Sequence, residues 1–294
     1  MTAAACHYLR ARSVEEAVAS LEASAGEGTV IAGGVALGIL MNERLVRPTW
    51  LVDIARIDSL CRIDMTADGA LRIGAAVANT ELERSPMVAR DFPLLHEMSR
   101  EIACGRVRNR GTIGGNICLA DPQGDPPAAM LALDATLNVR GPDGARAVSI
   151  SEFFQDLYTT ALGETEILED ITVPARPANA GYAYGKYGAR RAMDYTATIS
   201  AAVTVVRDNG TIGDIRIGMG GVGTTPIRPY GAEAALRGQS PDADVLAAMA
   251  TALTAELTPL DDVIYSADYK RHVASVILRR TVERACQRAG GQAG

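Results

Sequence analysis

The chain has 294 residues, which is enough for one large domain or for two to three smaller ones. Hydrophobic residues make up 48% of the sequence and aromatic residues only 4%, so we expect a core built from aliphatic side chains. The net charge is −6 and there is no run of basic residues, which disfavours nucleic-acid binding through a phosphate footprint.

The N-terminal sequence, MTAAACHYLRARS, lacks the apolar core of a signal peptide, and no stretch is apolar for long enough to span a bilayer. We therefore expect a cytoplasmic protein. No two of the five cysteines have a CxxC spacing, which disfavours an iron–sulfur or zinc site within this chain and predicts free thiols. The three histidines are scattered and form no metal-binding pattern.

The first predicted unit covers residues 1–55 and alternates strands with helices. Ser13 and Glu16 form a capping box ahead of a helical pattern that runs to Ala25. After it the sequence predicts a strand over 29–32, a turn at Gly33-Gly34, a helix over 35–43 and a strand over 50–54. A strand, a glycine turn and a helix in succession can aim backbone N–H groups and a helix N-terminus at a phosphate. Taken alone, a Gly-Gly pair is more often an ordinary tight turn, and this alternative stays open.

The second predicted unit covers residues 56–175 and mixes helices with antiparallel strands. Turn signals at Asp68-Gly69 and at Gly141-Pro142-Asp143-Gly144 predict two hairpins. Their strands are predicted over 60–65 and 71–75, and over 136–140 and 145–150. Helices are predicted over 79–84 and 92–102, and a last strand over 167–173 ends before Pro174.

Between these elements lies a segment that is poor in hydrophobic periodicity, residues 108–129, RNRGTIGGNICLADPQGDPPAA. Gly111, Gly114 and Gly115 allow a close approach to a ligand, and successive backbone N–H groups in such a turn can form an anion-binding nest. Thr112 and Asn116 add a hydroxyl and an amide that can bind phosphate or ribose oxygens. Together with the turn at Gly33-Gly34, this segment suggests a diphosphate held between two glycine turns.

Pro126 and Pro127, near the end of this segment, predict the start of a helix that reaches Leu133. Asp125 would then be the N-cap residue, with a carboxylate that either caps the helix or binds a sugar hydroxyl.

The third predicted unit covers residues 176–294 and follows a Pro- and Ala-rich linker at 175–180. Strands are predicted over 182–187, 198–206 and 211–219, and Asp208-Asn209-Gly210 favours antiparallel pairing of the last two. Helices are predicted over 242–257 and 266–289. The sequence thus predicts an antiparallel sheet backed by helices.

Residues 218–223, GMGGVG, match the dinucleotide-binding pattern G-x-G-x-x-G after a predicted strand. Pro226 and Pro229 forbid the helix whose N-terminus would bind the pyrophosphate. We interpret the motif instead as a glycine-rich strand end that packs closely against another segment.

Three segments occur in a characteristic order: IAGGVALGILMNERLVRPTWLVDIARI, VRNRGTIGGNICLADPQGDPPAAMLALDA and AYGKYGARRAMDYTATISAAV. With them the chain resembles, over nearly its whole length, the FAD-binding medium subunit of the molybdenum hydroxylases, the family of carbon monoxide dehydrogenase and xanthine dehydrogenase. The resemblance implies an α+β fold in which two N-terminal α/β subdomains hold FAD between them, followed by a C-terminal antiparallel sheet-and-helix domain.

The resemblance also implies which residues bind FAD. The diphosphate would be held by residues 32–36 and 112–116, Asp125 would bind a ribose or ribityl hydroxyl, and Leu168 would pack near the isoalloxazine. Lys186 and Tyr195 fall at flavin-side positions of some members, although on their own they are typical of a surface lysine and a core aromatic. The full set is Ile31, Ala32, Gly33, Gly34, Val35, Ala36, Leu37, Thr112, Ile113, Gly114, Gly115, Asn116, Asp125, Leu168, Lys186 and Tyr195.

One departure from the family pattern lies in the first glycine turn. Val35-Ala36 stands where many relatives carry a polar pair, so that backbone N–H groups alone remain there to bind the diphosphate. This departure argues against carbon monoxide dehydrogenase as the specific activity.

The resemblance implies an electron-transfer subunit with no catalytic acid–base residue and no metal site of its own. A small partner subunit would carry [2Fe-2S] clusters, a large one molybdopterin and the substrate, and FAD would pass electrons to an external acceptor. One alternative is a self-sufficient FAD-dependent oxidoreductase of the same fold with its own substrate pocket. The other is a non-enzymatic scaffold or nucleotide sensor in which the glycine turns are only structural.

Overall fold

The first sheet is parallel and places the first glycine turn at the end of its edge strand. The computed structural model describes residues 5–177, 179–188 and 197–290. The first unit consists of β1 (His7–Arg10), α1 (Val14–Ala23), β2 (Gly28–Ile31), α2 (Val35–Asn42) and β3 (Trp50–Asp53). The sheet order is β1-β3-β2, and β3 pairs in parallel with both neighbours. The predicted alternation of strands and helices is therefore confirmed.

The two helices of this unit differ in what they bury. The Ser13 hydroxyl accepts the Glu16 N–H at 3.1 Å, and the Glu16 carboxylate accepts the Arg12 N–H at 2.7 Å, so the predicted cap holds the start of α1. Helix α1 buries Val14, Ala17, Val18 and Leu21 in a small aliphatic core. Helix α2, although apolar, buries none of its residues and leaves its N-terminus beside the second unit.

The second unit surrounds a five-stranded antiparallel sheet. After a 3-10 turn (Asp58–Cys61), its elements are β4 (Ile63–Met65), β5 (Leu71–Gly74), α3 (Asn79–Arg84), α4 (Pro86–Asp91), α5 (Pro93–Glu101), α6 (Gly105–Arg108), α7 (Ile113–Leu119), α8 (Asp125–Ala132), β6 (Thr136–Gly141), β7 (Gly144–Ser149), α9 (Ile150–Phe153), β8 (Phe154–Asp156), β9 (Thr159–Thr160) and β10 (Ile167–Val173). The sheet order is β4-β5-β10-β6-β7, so the last strand in sequence lies between the two predicted hairpins. Strands β8 and β9 pair separately.

The third unit is an antiparallel sheet of β11 (Ala180–Tyr187), β12 (Ile199–Asp208) and β13 (Thr211–Gly220), followed by α10 (Tyr230–Leu236), α11 (Ala243–Glu256) and α12 (Ala267–Gly290). Helix α12 packs on β11 and β12. Helix α8 of the second unit packs on β12 and β13, and all eight of its residues are buried. The mixed α+β class is confirmed, and the predicted unit boundaries at 55/56 and 175/176 stay proposals.

The glycine-rich end of β13 packs as the sequence analysis expected. A Cβ atom added at Gly218 would lie 1.9 Å from the carbonyl oxygen of Ala128 in α8, so only glycine allows this contact. The first helix after the motif, α10, begins only beyond Pro229, which is its N-cap residue. The motif therefore serves the packing of β13 against α8.

Two local predictions are wrong. Residues 113–119 form the helix α7, although Gly114 and Gly115 lower its intrinsic propensity, because its start is fixed by hydrogen bonds to Ala75 and Val77 in the segment after β5. Asp125 is the first residue of α8 and Gly124 is the N-cap, since the Asp125 carboxylate bonds Tyr184 and Lys186 of β11 instead of backbone N–H groups. Helices α4, α6, α9 and α10 and strands β8 and β9 were not predicted either.

Candidate cofactor-binding cleft

A cleft of about 290 Å³ lies between the first unit and the second, where the two glycine turns meet. One wall comes from the end of β2 and the start of α2, and the other from α7 and β10. Twelve of the predicted site residues line it: Ile31, Ala32, Gly33, Gly34, Val35, Ala36, Leu37, Thr112, Gly114, Gly115, Asn116 and Leu168. The structure thus brings the first glycine turn close to the second, about 80 residues later in the sequence, and the second close to Leu168, about 50 residues later still. The tertiary fold creates this proximity, and no local sequence pattern shows it.

The two turns touch through their backbones. A Cβ atom added at Gly33 would lie 1.8 Å from the carbonyl oxygen of Arg110, far inside van der Waals contact. The Arg110 guanidinium also reaches the carbonyl oxygen of Gly33, at 3.5 Å. Because a side chain at position 33 would separate the turns, this glycine has a structural requirement of its own.

The first turn presents open backbone donors to the cleft. Gly34 is the N-cap of α2 and has a φ of 71°, a left-handed conformation that glycine adopts without strain. Within the part of the chain that the structure describes, no protein acceptor receives the N–H groups of Val35, Ala36 or Leu37. These are the orphan donors of a helix start, and with the helix dipole they favour an anion.

The second turn differs from the predicted nest. Its backbone N–H groups already have protein acceptors: Ile113 donates to Val77, Gly114 to Ala75, Gly115 to the Thr112 hydroxyl and Asn116 to the Thr112 carbonyl. The backbone N–H groups of residues 113–116 are therefore not free to form the predicted nest, because α7 uses them for its own first turn and for its attachment to the segment after β5. The donors left on this side are the Thr112 backbone N–H, the Thr112 hydroxyl proton and the Asn116 amide.

The Asn116 amide is held by a residue that the sequence analysis did not single out. The Asn79 Nδ2 atom at the start of α3 donates to Asn116 Oδ1 at 2.8 Å. Asn79 is fully buried, and its backbone N–H donates to the Gly111 carbonyl at 2.9 Å. No short-range signal marks this contact, since the two residues are 37 positions apart.

The rest of the lining is largely apolar. It includes side chains that single-sequence patterns do not distinguish from core residues, among them Leu40, Ile54, Leu119, Leu162 and Ile167. Burial raises the pKa of the Cys118 thiol to about 12, so this group stays protonated. Glu166 is the one carboxylate among the described lining residues, and a hydrogen bond from Arg146 lowers its pKa.

Three predicted residues do not line this cleft in the described structure. Ile113 is fully buried in the core of the second unit. Asp125 and Lys186 pair with each other, with Lys186 Nζ 2.7 Å from Asp125 Oδ2 and 2.9 Å from the carbonyl oxygen of Glu101. Tyr195 lies outside the described residues.

The Asp125 carboxylate is a buried group with two strong partners. The Tyr184 hydroxyl donates to Oδ1 at 2.5 Å, opposite the Lys186 contact at Oδ2. Burial nevertheless raises the pKa of Asp125 to about 6, since desolvation of the carboxylate outweighs the attraction of the ammonium and the two hydrogen bonds. Burial likewise raises the pKa of Tyr184 well above its ordinary value.

The described residues contain neither a candidate metal site nor a helix suited to crossing a membrane. No group of three or more His, Cys, Asp or Glu side chains is arranged to hold a metal ion there. None of the helices in those residues combines the length and hydropathy that a membrane crossing requires. All five cysteines are free.

The chain matches two protein families. Residues 3–176 match the FAD binding domain in molybdopterin dehydrogenase, and residues 183–285 match the CO dehydrogenase flavoprotein C-terminal domain. The carbon monoxide dehydrogenase medium chain of Hydrogenophaga pseudoflava is 36% identical over 96% of this chain and 97% of that protein. The putative xanthine dehydrogenase FAD-binding subunit of Escherichia coli strain K12 is 31% identical, with 97% of both chains covered.

Solved structures agree with these matches. A chain of the Hydrogenophaga pseudoflava carbon monoxide dehydrogenase that lacks the Mo-pyranopterin moiety superposes with a TM-score of 0.95, at 37% identity, over 98% of this chain and 99% of that one. A chain of quinoline 2-oxidoreductase from Pseudomonas putida 86 gives 0.92 at 31% identity, with the same coverage.

Proposed function

Because the chain belongs to the family of FAD-binding medium subunits of the molybdenum hydroxylases, we propose that it is the subunit that carries electrons between its partners and an external acceptor. It is an oxidoreductase subunit, and FAD is its cofactor. In the proposed complex a small subunit supplies electrons from [2Fe-2S] clusters, a large subunit holds molybdopterin and substrate, and this chain delivers the electrons onward.

The observation that carries the proposal is the meeting of both glycine turns in one cleft. Its donor set suits a diphosphate: the N–H groups at the start of α2, the Thr112 hydroxyl and the Asn116 amide. The contact of Gly33 with Arg110 leaves no room for a side chain, which fits a backbone that approaches a ligand closely. The apolar lining around Leu162 and Leu168 suits a flat aromatic ring system.

The protein's part in this chemistry is to bind, orient and shield. FAD supplies the redox chemistry when it is bound. The described cleft residues offer no group suited to proton transfer at neutral pH, since the Cys118 pKa is about 12 and Glu166 is paired with Arg146. This lack supports electron transfer over a self-sufficient enzyme with its own substrate pocket.

Asp125, Lys186 and Tyr195 remain proposals as flavin-side residues. Asp125 on α8 and Lys186 on β11 are joined to each other and are not among the residues that line the cleft. A cytoplasmic location is likewise a proposal.

The first test is the visible absorption spectrum of the purified chain, with any released flavin identified by chromatography. We expect bound FAD without iron–sulfur absorption. A colourless chain that also fails to take up added FAD would contradict the proposed site, whereas uptake only in the presence of partner subunits would mean that assembly completes it.

The second test addresses the electron path in the reconstituted complex. Addition of substrate should reduce first the clusters and then the flavin, seen as loss of flavin absorption. Reduction of the clusters with the flavin left oxidised would exclude the electron-transfer role while leaving FAD binding intact.

A further inference from the structure

We propose that Asn79 is a positioning residue that fixes the Asn116 carboxamide with its NH2 group toward the cleft, so that Asn116 donates to the diphosphate of FAD. The inference rests on the proposed function, because it assigns a role toward the cofactor of the same cleft. Asn79 does not line the cleft and would act only through Asn116.

The geometry defines the orientation of the Asn116 side chain. Asn79 Nδ2 donates to Asn116 Oδ1 at 2.8 Å, which occupies the acceptor end of the Asn116 amide. The two terminal atoms of an amide point apart, so its NH2 group is turned away from Asn79. No acceptor within the described chain receives that group, and Asn116 lines the cleft.

The orientation matters because the two ends of an amide have opposite polarity. With the NH2 group outward, Asn116 can donate to a phosphate oxygen in a charge-assisted hydrogen bond. With the amide reversed, its carbonyl oxygen would face the same phosphate and repel it. A neighbour that presents its NH2 group at this point, as Asn79 does, therefore selects the useful orientation before the ligand arrives.

Asn79 is itself held rigidly. Its backbone N–H donates to the Gly111 carbonyl at 2.9 Å, and its side chain is fully buried. A Cβ atom at Gly111 would lie 3.3 Å from Asn79 Nδ2, so the segment of the second turn packs directly on this amide. Packing against the second glycine turn thus restricts the rotamer of Asn79.

The carbonyl end of the Asn79 side chain indicates that stability alone does not explain why an asparagine occupies position 79. Asn79 Oδ1 is buried and has no hydrogen-bond partner among the described residues. A buried acceptor without a donor destabilises a fold, and an apolar side chain of the same branched shape would avoid this cost. A role at the cleft explains why a polar residue stands there.

The composition of the cleft makes such a donor valuable. The described lining contains no Lys or Arg, and Val35 and Ala36 offer no polar side chains at the first turn. In the second turn the backbone N–H groups of residues 113–116 are already used. Asn116 and Thr112 are therefore the side chains best placed to supplement the N-terminus of α2.

The test is a double-mutant cycle on the full chain, with FAD affinity measured by fluorescence titration of the apoprotein. The variants are Asn79→Leu, Asn79→Ala, Asn116→Ala and Asn79→Leu combined with Asn116→Ala. The control is Asn42→Ala, an exposed asparagine at the far end of α2. Thermal unfolding of each apoprotein is measured in parallel.

We expect each single change at 79 or 116 to weaken FAD binding about 10- to 100-fold, the range for a hydrogen bond to a charged group. The combined variant should bind no more weakly than Asn116→Ala alone, because Asn79 has nothing to act on once Asn116 is gone. Asn79→Leu should leave the apoprotein at least as stable as the wild type, and Asn42→Ala should bind normally. Asn79→Ala tests the same loss of the hydrogen bond if a leucine side chain does not fit at position 79.

Three results would overturn the proposal and leave the proposed function standing: unchanged affinity in both variants at 79, unchanged affinity in Asn116→Ala, or losses that multiply in the combined variant. Failure of the wild-type chain to bind FAD both alone and in the presence of partner subunits would overturn the proposed function and this inference with it.

Discussion

The α-carbon of Gly33 faces the carbonyl oxygen of Arg110 so closely that a Cβ atom would lie 1.8 Å from it. This contact joins the two glycine turns and sets the width of the cleft between the first two units. The cleft can therefore form as observed only if residue 33 has no side chain.

We predict that Gly33→Ala abolishes FAD binding, because the added methyl group must push the two turns apart. The matched control is Gly38→Ala on α2, where a Cβ atom meets nothing within 4 Å. This control should keep its flavin and gain up to about 1 kcal/mol of stability from better helix propensity. The measurement is the flavin content per chain after dialysis, and retention of FAD by Gly33→Ala would contradict the prediction.

Gly218→Ala should destabilise the protein by about 3 kcal/mol, because a Cβ atom 1.9 Å from the Ala128 carbonyl forces β13 and α8 apart. Gly213→Ala on the same strand is the control, since its nearest contact would be an ordinary 3.5 Å. Urea unfolding of both variants measures the free energy of unfolding. Equal stability of the two would show that α8 can shift without cost.

Cysteine reactivity should follow the surroundings of each thiol. Cys104 is exposed, and its pKa is lowered, chiefly by a hydrogen bond from the Val107 backbone N–H, whereas burial raises the pKa of Cys118 to about 12. We expect iodoacetamide at pH 8 to label Cys104 first and well before Cys118, as read by mass spectrometry. Cys104→Ser should remove the fast phase, and rapid labelling of Cys118 would show that the cleft opens widely.

The stability of the protein should contain a pH-dependent contribution from Asp125. Its pKa is raised from 3.8 to about 6, so the folded state holds the proton more tightly than the unfolded chain does. The resulting stabilisation is fully present below about pH 4 and is lost as the pH rises to about 6. We therefore expect the wild type to lose stability across this window relative to Asp125→Asn.

Urea unfolding of both proteins from pH 4 to pH 7 measures this contribution. The change to asparagine also removes the Lys186 ion pair, which shifts the variant's stability as a whole, so the comparison depends on the slope and not on the level. A difference between the two proteins that stays constant with pH would show that Asp125 titrates near its ordinary value.

Much of the fold follows from local sequence signals. The capping box at Ser13, the turns at Asp68-Gly69 and Asn209-Gly210 and the end of β10 before Pro174 all act within a few residues, and the structure has the expected elements there. Helix α7 was missed because its start depends on bonds to Ala75 and Val77, which no local pattern shows.

The candidate site was predictable in its glycine turns and less so in its details. Consecutive glycines mark unusual backbone wherever they occur, so both turns could be located from sequence. Which of their N–H groups remain available depends on partners in other elements, and the second turn proved to have used its own. The contact of Asn79 with Asn116 joins α3 to α7 and required the tertiary structure.

Strand β10 ends at Val173 yet lies at the centre of the second sheet, between hairpins that precede it along the chain. During synthesis, the edge strands β5 and β6 of the two hairpins therefore stay unpaired until β10 has left the ribosome. The wall of the cleft that contains Leu168 is also absent until then. We expect nascent chains that end before β10 to be recognised by chaperones as exposed sheet edges and to be unable to retain a flavin. Loading of the cofactor is thereby restricted to chains whose synthesis has passed the second unit.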